Sequence, residues 1–586
     1  HKLMTFQRQK AYITACFFII SCFIFGSLAA QMPSAANTYG PPLEIPLVLS
    51  GNFGELRSNH FHSGLDIKTN LAIGIPVYAT ADGYVSRIKV AHFGYGKALY
   101  LTHNDGYSTV YAHLDRFEEN IQGYVKQQQY KKESFEVELF PGQEVFVIKA
   151  GQLIGYTGNT GSSGGPHLHY EIRDSESRPI NPLQSQGIQI KDSRAPVVSG
   201  LRYYPLDLVK NSVEAVGVDL SVRKTNDSTY IADLIHASGT IGLGAELYDQ
   251  HDAANNKNGV YHIEGFLNGS KHYEVYFDRI SFDETRFMNR YMDYRYYSNS
   301  KKRVQKLFRE NNNPIGIIKD PDHRGMLTIA PGQAYTYELL ISDFHGNTTT
   351  ILIPITGDTL VEKGPALQQT LDLGGVNESF SQLDVYGSET HHWSEGRYAV
   401  MIPRETFYDP TQLSVSVRGD TLFLDKDQYP MQNKIEITYN AQWMSSDDFQ
   451  SAYIGRISPY GKAQYQNTNK ENMDLKTRVG TLGRYGVFYD RTAPLIKAKT
   501  VRQGQWISSL SELTLIIEDK ESGISSYRAT LNGQFILMEY DYKTKQLVYD
   551  FADAIVTDTQ QNLALVVLDN VGNSATFELM FYRKND

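Results

Sequence analysis

The chain has 586 residues, of which 41% are hydrophobic, and a net charge of −9. At about 150 residues per domain it is too long for a single core, and roughly four domains are expected. The acidic balance lacks the basic footprint of a nucleic-acid-binding protein, so no nucleic-acid partner is expected.

Residues 1–30 read as an export signal. Arg8 and Lys10 precede an apolar run from Ala11 to Phe25, and Ser27-Leu28-Ala29-Ala30 offers small residues for cleavage. The run is short for a membrane span. Both cysteines, Cys16 and Cys22, fall inside it. The remaining sequence therefore has no disulfide and no thiolate ligand or nucleophile. Tyr is frequent, at 40 residues, and suits half-buried strand faces, which predicts a mainly β protein.

From Ile45 to Pro182 the pattern is short strands and tight turns. Leu99–His103 and Tyr107–Ala112 flank Asn104-Asp105-Gly106, a hairpin signal, since Gly accepts positive φ. An antiparallel sheet is predicted over 45–185. Residues 118–140 interrupt it with a Gln/Lys/Glu-rich stretch, read as a long loop that walls a substrate groove. Beyond it lies a degenerate repeat. Asp192-Ser193-Arg194-Ala195-Pro196 resembles Asp490-Arg491-Thr492-Ala493-Pro494; Leu267-Asn268-Gly269 matches Leu531-Asn532-Gly533; Asp343 to Asn347 matches Asp569 to Asn573. Two immunoglobulin-like β-sandwiches are predicted, at 192–357 and 490–586, with a further β-domain at 358–489. In the first copy Ser281-x-x-Glu284 followed by Phe287, Tyr291 and Tyr294 predicts a helical insertion whose aromatic stripe faces the core. The Asp/Asn turns are read as turn chemistry rather than calcium loops. Adjacent His391 and His392 on a strand point oppositely and are not read as a metal pair.

Three segments carry chemistry. His62 and Asp66 stand four apart around Gly64, which favours a loop or strand edge. His167 and His169, in Gly164-Gly165-Pro166-His167-Leu168-His169-Tyr170-Glu171, project from one face if the segment is a strand. Two imidazoles and a carboxylate supply three N/O ligands and leave a fourth position for water, the pattern of catalytic zinc. The residues alone do not decide whether His167 or His169 is the ligand. His113, in Tyr111-Ala112-His113-Leu114, follows the hairpin and is expected at a strand end, facing the site.

These motifs, in this order, resemble the lysostaphin/LytM-type zinc endopeptidases. Pro76-Val77-Tyr78-Ala79, Ala81-Asp82-Gly83 and Gly151-Gln152-Leu153-Ile154-Gly155 support the match, which is confined to the region before residue 185. The resemblance implies that His62, Asp66 and His169 hold one zinc per chain and that His113 and His167 are the catalytic histidines. It implies hydrolysis of peptide bonds in peptidoglycan stem or cross-link peptides by a protein exported to the bacterial periplasm or cell envelope. It leaves envelope proteins as partners for the C-terminal β-domains. The rivals are a metallopeptidase of secreted or glycine-rich proteins, and a non-catalytic scaffold. His60 and His103 are read as surface or packing residues. Arg57 is read as either a substrate-carboxylate ligand or a salt-bridge partner.

Overall fold

The computed structural model describes residues 38–206, 215–319, 324–358 and 380–584. The expected export signal, and the head of the β-domain expected at 358–489, lie outside the described residues. The protein is mainly β, as its composition predicts. Among the described residues no helix is long and apolar enough to cross a membrane.

The N-terminal unit is an antiparallel sheet of eleven strands: β1 (Leu49–Gly51), β2 (Leu65–Lys68), β3 (Pro76–Tyr78), β4 (Gly83–Val90), β5 (Lys97–His103), β6 (Ser108–Phe117), β7 (Val137–Leu139), β8 (Val147–Ile148), β9 (Leu153–Thr157), β10 (His167–Arg173) and β11 (Pro179–Ile180). Its main path runs β1-β2-β10-β6-β5-β4-β7. The predicted hairpin joins β5 to β6, with Gly106 at φ +82° and Asp105 Oδ1 accepting the Tyr107 N–H. Alternation along β10 sorts its side chains. Leu168, Tyr170 and Ile172 enter the core, which leaves His167, His169 and Glu171 on the opposite face. Gly64 lets β2 and β10 approach: a Cβ there would lie 2.3 Å from the Tyr170 carbonyl oxygen.

The Gln/Lys-rich stretch is not the structureless loop expected from its composition. It forms a helix, α1 (Glu119–Lys132), which opens with the Glu118 side chain accepting the Asn120 N–H and closes with Glu133 in the left-handed conformation. Ile121, Val125 and Gln129 are buried at four-residue spacing. That stripe is only two apolar residues long, too thin to read as a helix period. The outer side of α1 meets the last β unit: Lys126 pairs with Asp550 and Asp553, Tyr130 Oη donates to Asp553 at 2.5 Å, and Glu133 pairs with Arg528.

Three further β units follow, each built from two sheets. Sheets of five and seven strands span 197–357, sheets of six and five span 381–489, and two four-stranded sheets span 495–582. In each unit both sheets feed one apolar cluster. The helical insertion is present as short turns at Thr285–Phe287, Met288–Tyr291 and Tyr294–Ser300. Its aromatic stripe faces inward as expected, with Tyr291 only 1% exposed. The repeated Asn-Gly pairs occupy matching hairpin turns, Asn268-Gly269 and Asn532-Gly533, all four residues at positive φ. The apolar cluster of the N-terminal unit continues without a break into the first sandwich, up to Ile355.

Candidate metal centre

Three neighbouring strands assemble the centre. β10 lies between β2 and β6, and His169 is in register with Asp66 on one side and Ala112 on the other. His62 enters from the loop before β2. His113 does not end a strand, contrary to the expectation from the sequence. It sits inside β6 at φ +59°, where β6 holds an extra residue against β5. A bulge of this kind turns a side chain out of the strand's alternation. The His113 ring consequently lies 4.8 Å from that of His167 and 5.9 Å from that of His169.

His62 Nε2, Asp66 Oδ1 and His169 Nδ1 lie 2.9–3.1 Å from one another. Their hydrogen-bond partners fix which ring nitrogens face inward. His62 Nδ1 donates to the Asn52 carbonyl at 2.7 Å, which leaves Nε2 as a lone pair. His169 Nε2 donates to Glu171 Oε1 at 2.8 Å, which leaves Nδ1 as a lone pair. With those tautomers three buried electron-pair donors converge on one point, an arrangement that could hold a metal ion. Tetrahedral ligands about 2.1 Å from zinc stand about 3.4 Å apart, close to this spacing. The donor set fits zinc, and the orienting carbonyl and carboxylate are the usual outer partners of metal-bound imidazoles.

Electrostatics agree. Burial would raise the Asp66 carboxyl, yet the surrounding imidazoles, His62 first, hold it well below the usual range. Burial lowers His62. Burial also opposes charge on His169, but hydrogen bonds to Asp66 and Glu171 outweigh it and raise that ring to about 9. Burial, with the nearby His169 and His167, pushes His113 down to about 3, so its ring is neutral.

The two remaining histidines are oriented by carbonyls. His113 Nδ1 donates to Thr160 O at 2.9 Å, and His167 Nδ1 donates to Gly165 O at 2.8 Å. Each presents Nε2, and that of His167 lies 3.3 Å from Asp66 Oδ1. Arg57 is tied to the centre itself: its guanidinium donates to Asp66 Oδ2 at 2.9 Å and to Glu55 Oε2 at 3.0 Å. His103 is turned away, bonded to Asp82 O and Thr109 Oγ1, and His60 is exposed. His391 and His392 lie on the strand His391–Glu395, outside the groups of metal-type side chains found among the described residues.

Several contributors have no role in the sequence reading. Glu171 is wholly buried, paired with Arg173, and accepts from Ser63 and Tyr95 as well as His169. Tyr95 stacks on His169 with ring centroids 5.2 Å apart. The Glu171 role is readable from its place two residues after His169 on one strand face. Tyr95 lies in the β4–β5 connection, where no periodicity marks it. Asn52 clamps the Gly259 backbone with both side-chain atoms, at 2.7 and 2.8 Å, and so ties the His62 anchor to the first sandwich.

Comparison with known proteins identifies this unit. Residues 60–130 and 133–182 match Peptidase family M23, and residues 385–490 match the Zu5-like domain. The match to Peptidase family M23 is confined to the N-terminal unit, and it agrees with the resemblance read from the motifs there. A DD-carboxypeptidase/endopeptidase Mpg of Neisseria meningitidis serogroup B is 35% identical over 22% of this chain and 23% of its own. The peptidoglycan DD-endopeptidase ShyB of Vibrio cholerae is 34% identical over 21% of this chain and 23% of its own. Lysostaphin of Staphylococcus staphylolyticus is 31% identical over 23% of this chain and 20% of its own. The chain thus spans under a quarter of the length of these relatives.

Proposed function

We propose that the protein is an exported zinc metalloendopeptidase that hydrolyses peptide bonds in peptidoglycan stem or cross-link peptides. The observation that carries the reading is the convergence of three lone-pair atoms, on His62, Asp66 and His169, with two further imidazoles presenting Nε2 beside them. Zinc bound there would bring its water towards a pKa of about 7 and polarise a substrate carbonyl.

The chain's own residues supply the proton traffic. His113 is neutral, with Nδ1 committed to Thr160 O, so Nε2 is free to accept a proton. His167 has Nδ1 committed to Gly165 O, with Nε2 3.3 Å from Asp66 Oδ1. From there its ring can pass a proton to a leaving amine or donate to an oxyanion. Arg57 balances the Asp66 charge and fixes which carboxylate oxygen faces the histidines. The names of the relatives support peptidoglycan as the substrate class, and the export signal read in residues 1–30 supports an envelope location.

The test is incubation of the zinc-loaded protein with purified sacculi, and separately with casein and oligoglycine. New amino termini on soluble muropeptides are expected, with casein and oligoglycine intact. Cleavage of casein or oligoglycine alone would replace the substrate assignment. No cleavage of any substrate by zinc-replete protein would favour the scaffold reading.

A further inference from the structure

A second group of metal-type side chains gathers at one end of the first sandwich. Asp192 precedes the strand Val197–Leu206, Asp249 and His251 follow the strand Gly239–Tyr248, and Asp343 and His345 occupy the turn before Thr348–Gly357. Ligand atoms of Asp192, Asp249 and His251 lie within 4.8 Å of one another, as do those of Asp192, Asp343 and His345. Asp192 belongs to both triads. Its side chain is 0% exposed, that of Asp249 is 1% and that of His251 is 4%.

The group is not explained by its own hydrogen bonds. Asp192 Oδ1 accepts the Arg194 N–H, but Oδ2 has no hydrogen-bond partner. It points between His251 Nε2 and His345 Nδ1, at 4.0 and 3.9 Å, too far for a hydrogen bond. Asp249 Oδ1 and Asn258 Oδ1 are also buried without partners, and Asn258 Nδ2 lies 3.4 Å from His251 Nδ1. Buried unpaired oxygens are rare and call for a water or an ion. Among the described residues no Lys or Arg pairs with any of the three carboxylates. Burial and the charges on Asp192 and Asp343 push Asp249 up to about 8.

The second copy of the repeat sharpens the case by contrast. Asp490, Asp519 and Asp569 hold the corresponding places and also cluster. There, turn chemistry consumes the carboxylates. Asp519 Oδ1 accepts three backbone N–H groups, those of Glu521, Ser522 and Gly523, and Asp569 Oδ1 accepts those of Val571, Gly572 and Asn573. The positions of His251 and His345 are taken by Glu521 and Val571. The first copy keeps the Asp343–Asn347 turn, yet adds two imidazoles and leaves two buried carboxylate oxygens unsatisfied. The turn reading made from the sequence is therefore complete for the second copy and incomplete for the first.

We propose that Asp192, Asp249, His251, Asp343 and His345 bind a second divalent cation, outside the family M23 unit. Mixed imidazole and carboxylate donors select a first-row metal of the zinc class over calcium or magnesium, which take oxygen ligands. The ion ties the segment before the first sandwich to the loop that follows Tyr248. That loop ends at Gly259, whose backbone holds Asn52, whose carbonyl orients His62. The cation is thus structural, and it braces the catalytic centre from behind. The inference goes beyond the proposed function and does not depend on it.

Elemental analysis after equilibration with zinc tests it on the full chain. Two zinc ions per chain are expected in the wild type, one in His169→Ala, one in His345→Gln and none in the double variant. His345 is partly exposed and is the replacement least disruptive to folding; Asp249→Asn, with circular dichroism as a folding control, is the second probe. In the His169→Ala protein, zinc should raise Tm, and His345→Gln should weaken that zinc affinity at least tenfold. Should His169→Ala keep two ions while His345→Gln loses one, this site stands and the catalytic ligand set falls. Folded His345→Gln and Asp249→Asn proteins with wild-type zinc content and affinity would overturn the proposal. So would displacement of this zinc by millimolar calcium.

Discussion

Asp66 is the hub of the centre, with three imidazoles around one oxygen and a guanidinium on the other. Asp66→Ala, His62→Ala and His169→Ala should each empty the catalytic site, since two remaining ligands hold zinc poorly. Metal analysis of the purified variants checks this, and full retention in all three would refute the ligand set. His113→Ala and His167→Ala should keep that zinc and lose turnover by about 10²–10⁴, the usual range for a lost general acid or base. Asn52→Ala keeps the carbonyl that accepts from His62 but frees it from Gly259. Zinc affinity, read by competition with a chelator, should fall by about 10–100-fold, as for other losses in the shell around a metal. At this scale the sequence was most legible: spacing alone puts His167 and His169 on one strand face, though it does not say which is the ligand. Tyr95 and Asn52 could not be placed, because their partners are supplied by other segments.

At the scale of elements, α1 and the C-terminal hairpin of strands Met538–Asp541 and Gln546–Asp550 form one docked assembly. The hairpin meets the 159–163 loop: Tyr542 Oη donates to Gly161 O at 3.3 Å, Lys543 Nζ donates to Asn159 O and Ser163 O, and Glu539 pairs with Lys97. That loop carries Thr160 O, the anchor of His113, and Ser163 Oγ, 3.2 Å from His167 Nδ1. The last β unit thus touches the loop that orients both histidines, and α1 packs against that unit. One hydrogen bond is worth about 0.5–1.5 kcal/mol, so Lys543→Ala should lower kcat about 2–10-fold with zinc content unchanged. Replacing residues 121–138 with a Gly-Ser turn should release the hairpin and reproduce that loss. Unchanged kinetics in both variants would mean that the hairpin leaves the histidines unaffected.

For the whole molecule, the boundary expected before Asp192 divides the motifs but not the core. Phe61, next to His62, packs against Phe277 and Tyr291 of the first sandwich with ring centroids 6.1 and 6.2 Å apart. Its backbone N–H donates to Thr285 Oγ1. Burial of such a ring contributes about 1.5–3 kcal/mol. The sequence predicts that residues 31–190, which carry His62, Asp66, His113, His167 and His169, cleave small peptides alone. The shared core predicts that this fragment melts lower than the full chain and binds zinc more weakly. Calorimetry and chelator competition on the two proteins decide between these, and equal Tm and affinity would establish an independent unit.

The sequence by itself pointed to the β architecture, the hairpin at Asp105-Gly106 and the repeat, and its motifs held the five residues that the fold gathers at the candidate metal centre. Those features depend on local backbone preference and on strand alternation, both of which act within a few residues. Tertiary structure decided the rest: the bulge that re-aims His113, the helix in place of a loop at 119–132, the Asn52–Gly259 clamp and the cation-type cluster around Asp192. Each joins segments far apart in sequence, or turns on packing that outweighs local propensity. No local pattern encodes such contacts, because their energy comes from burial that exists only once the sheets have stacked.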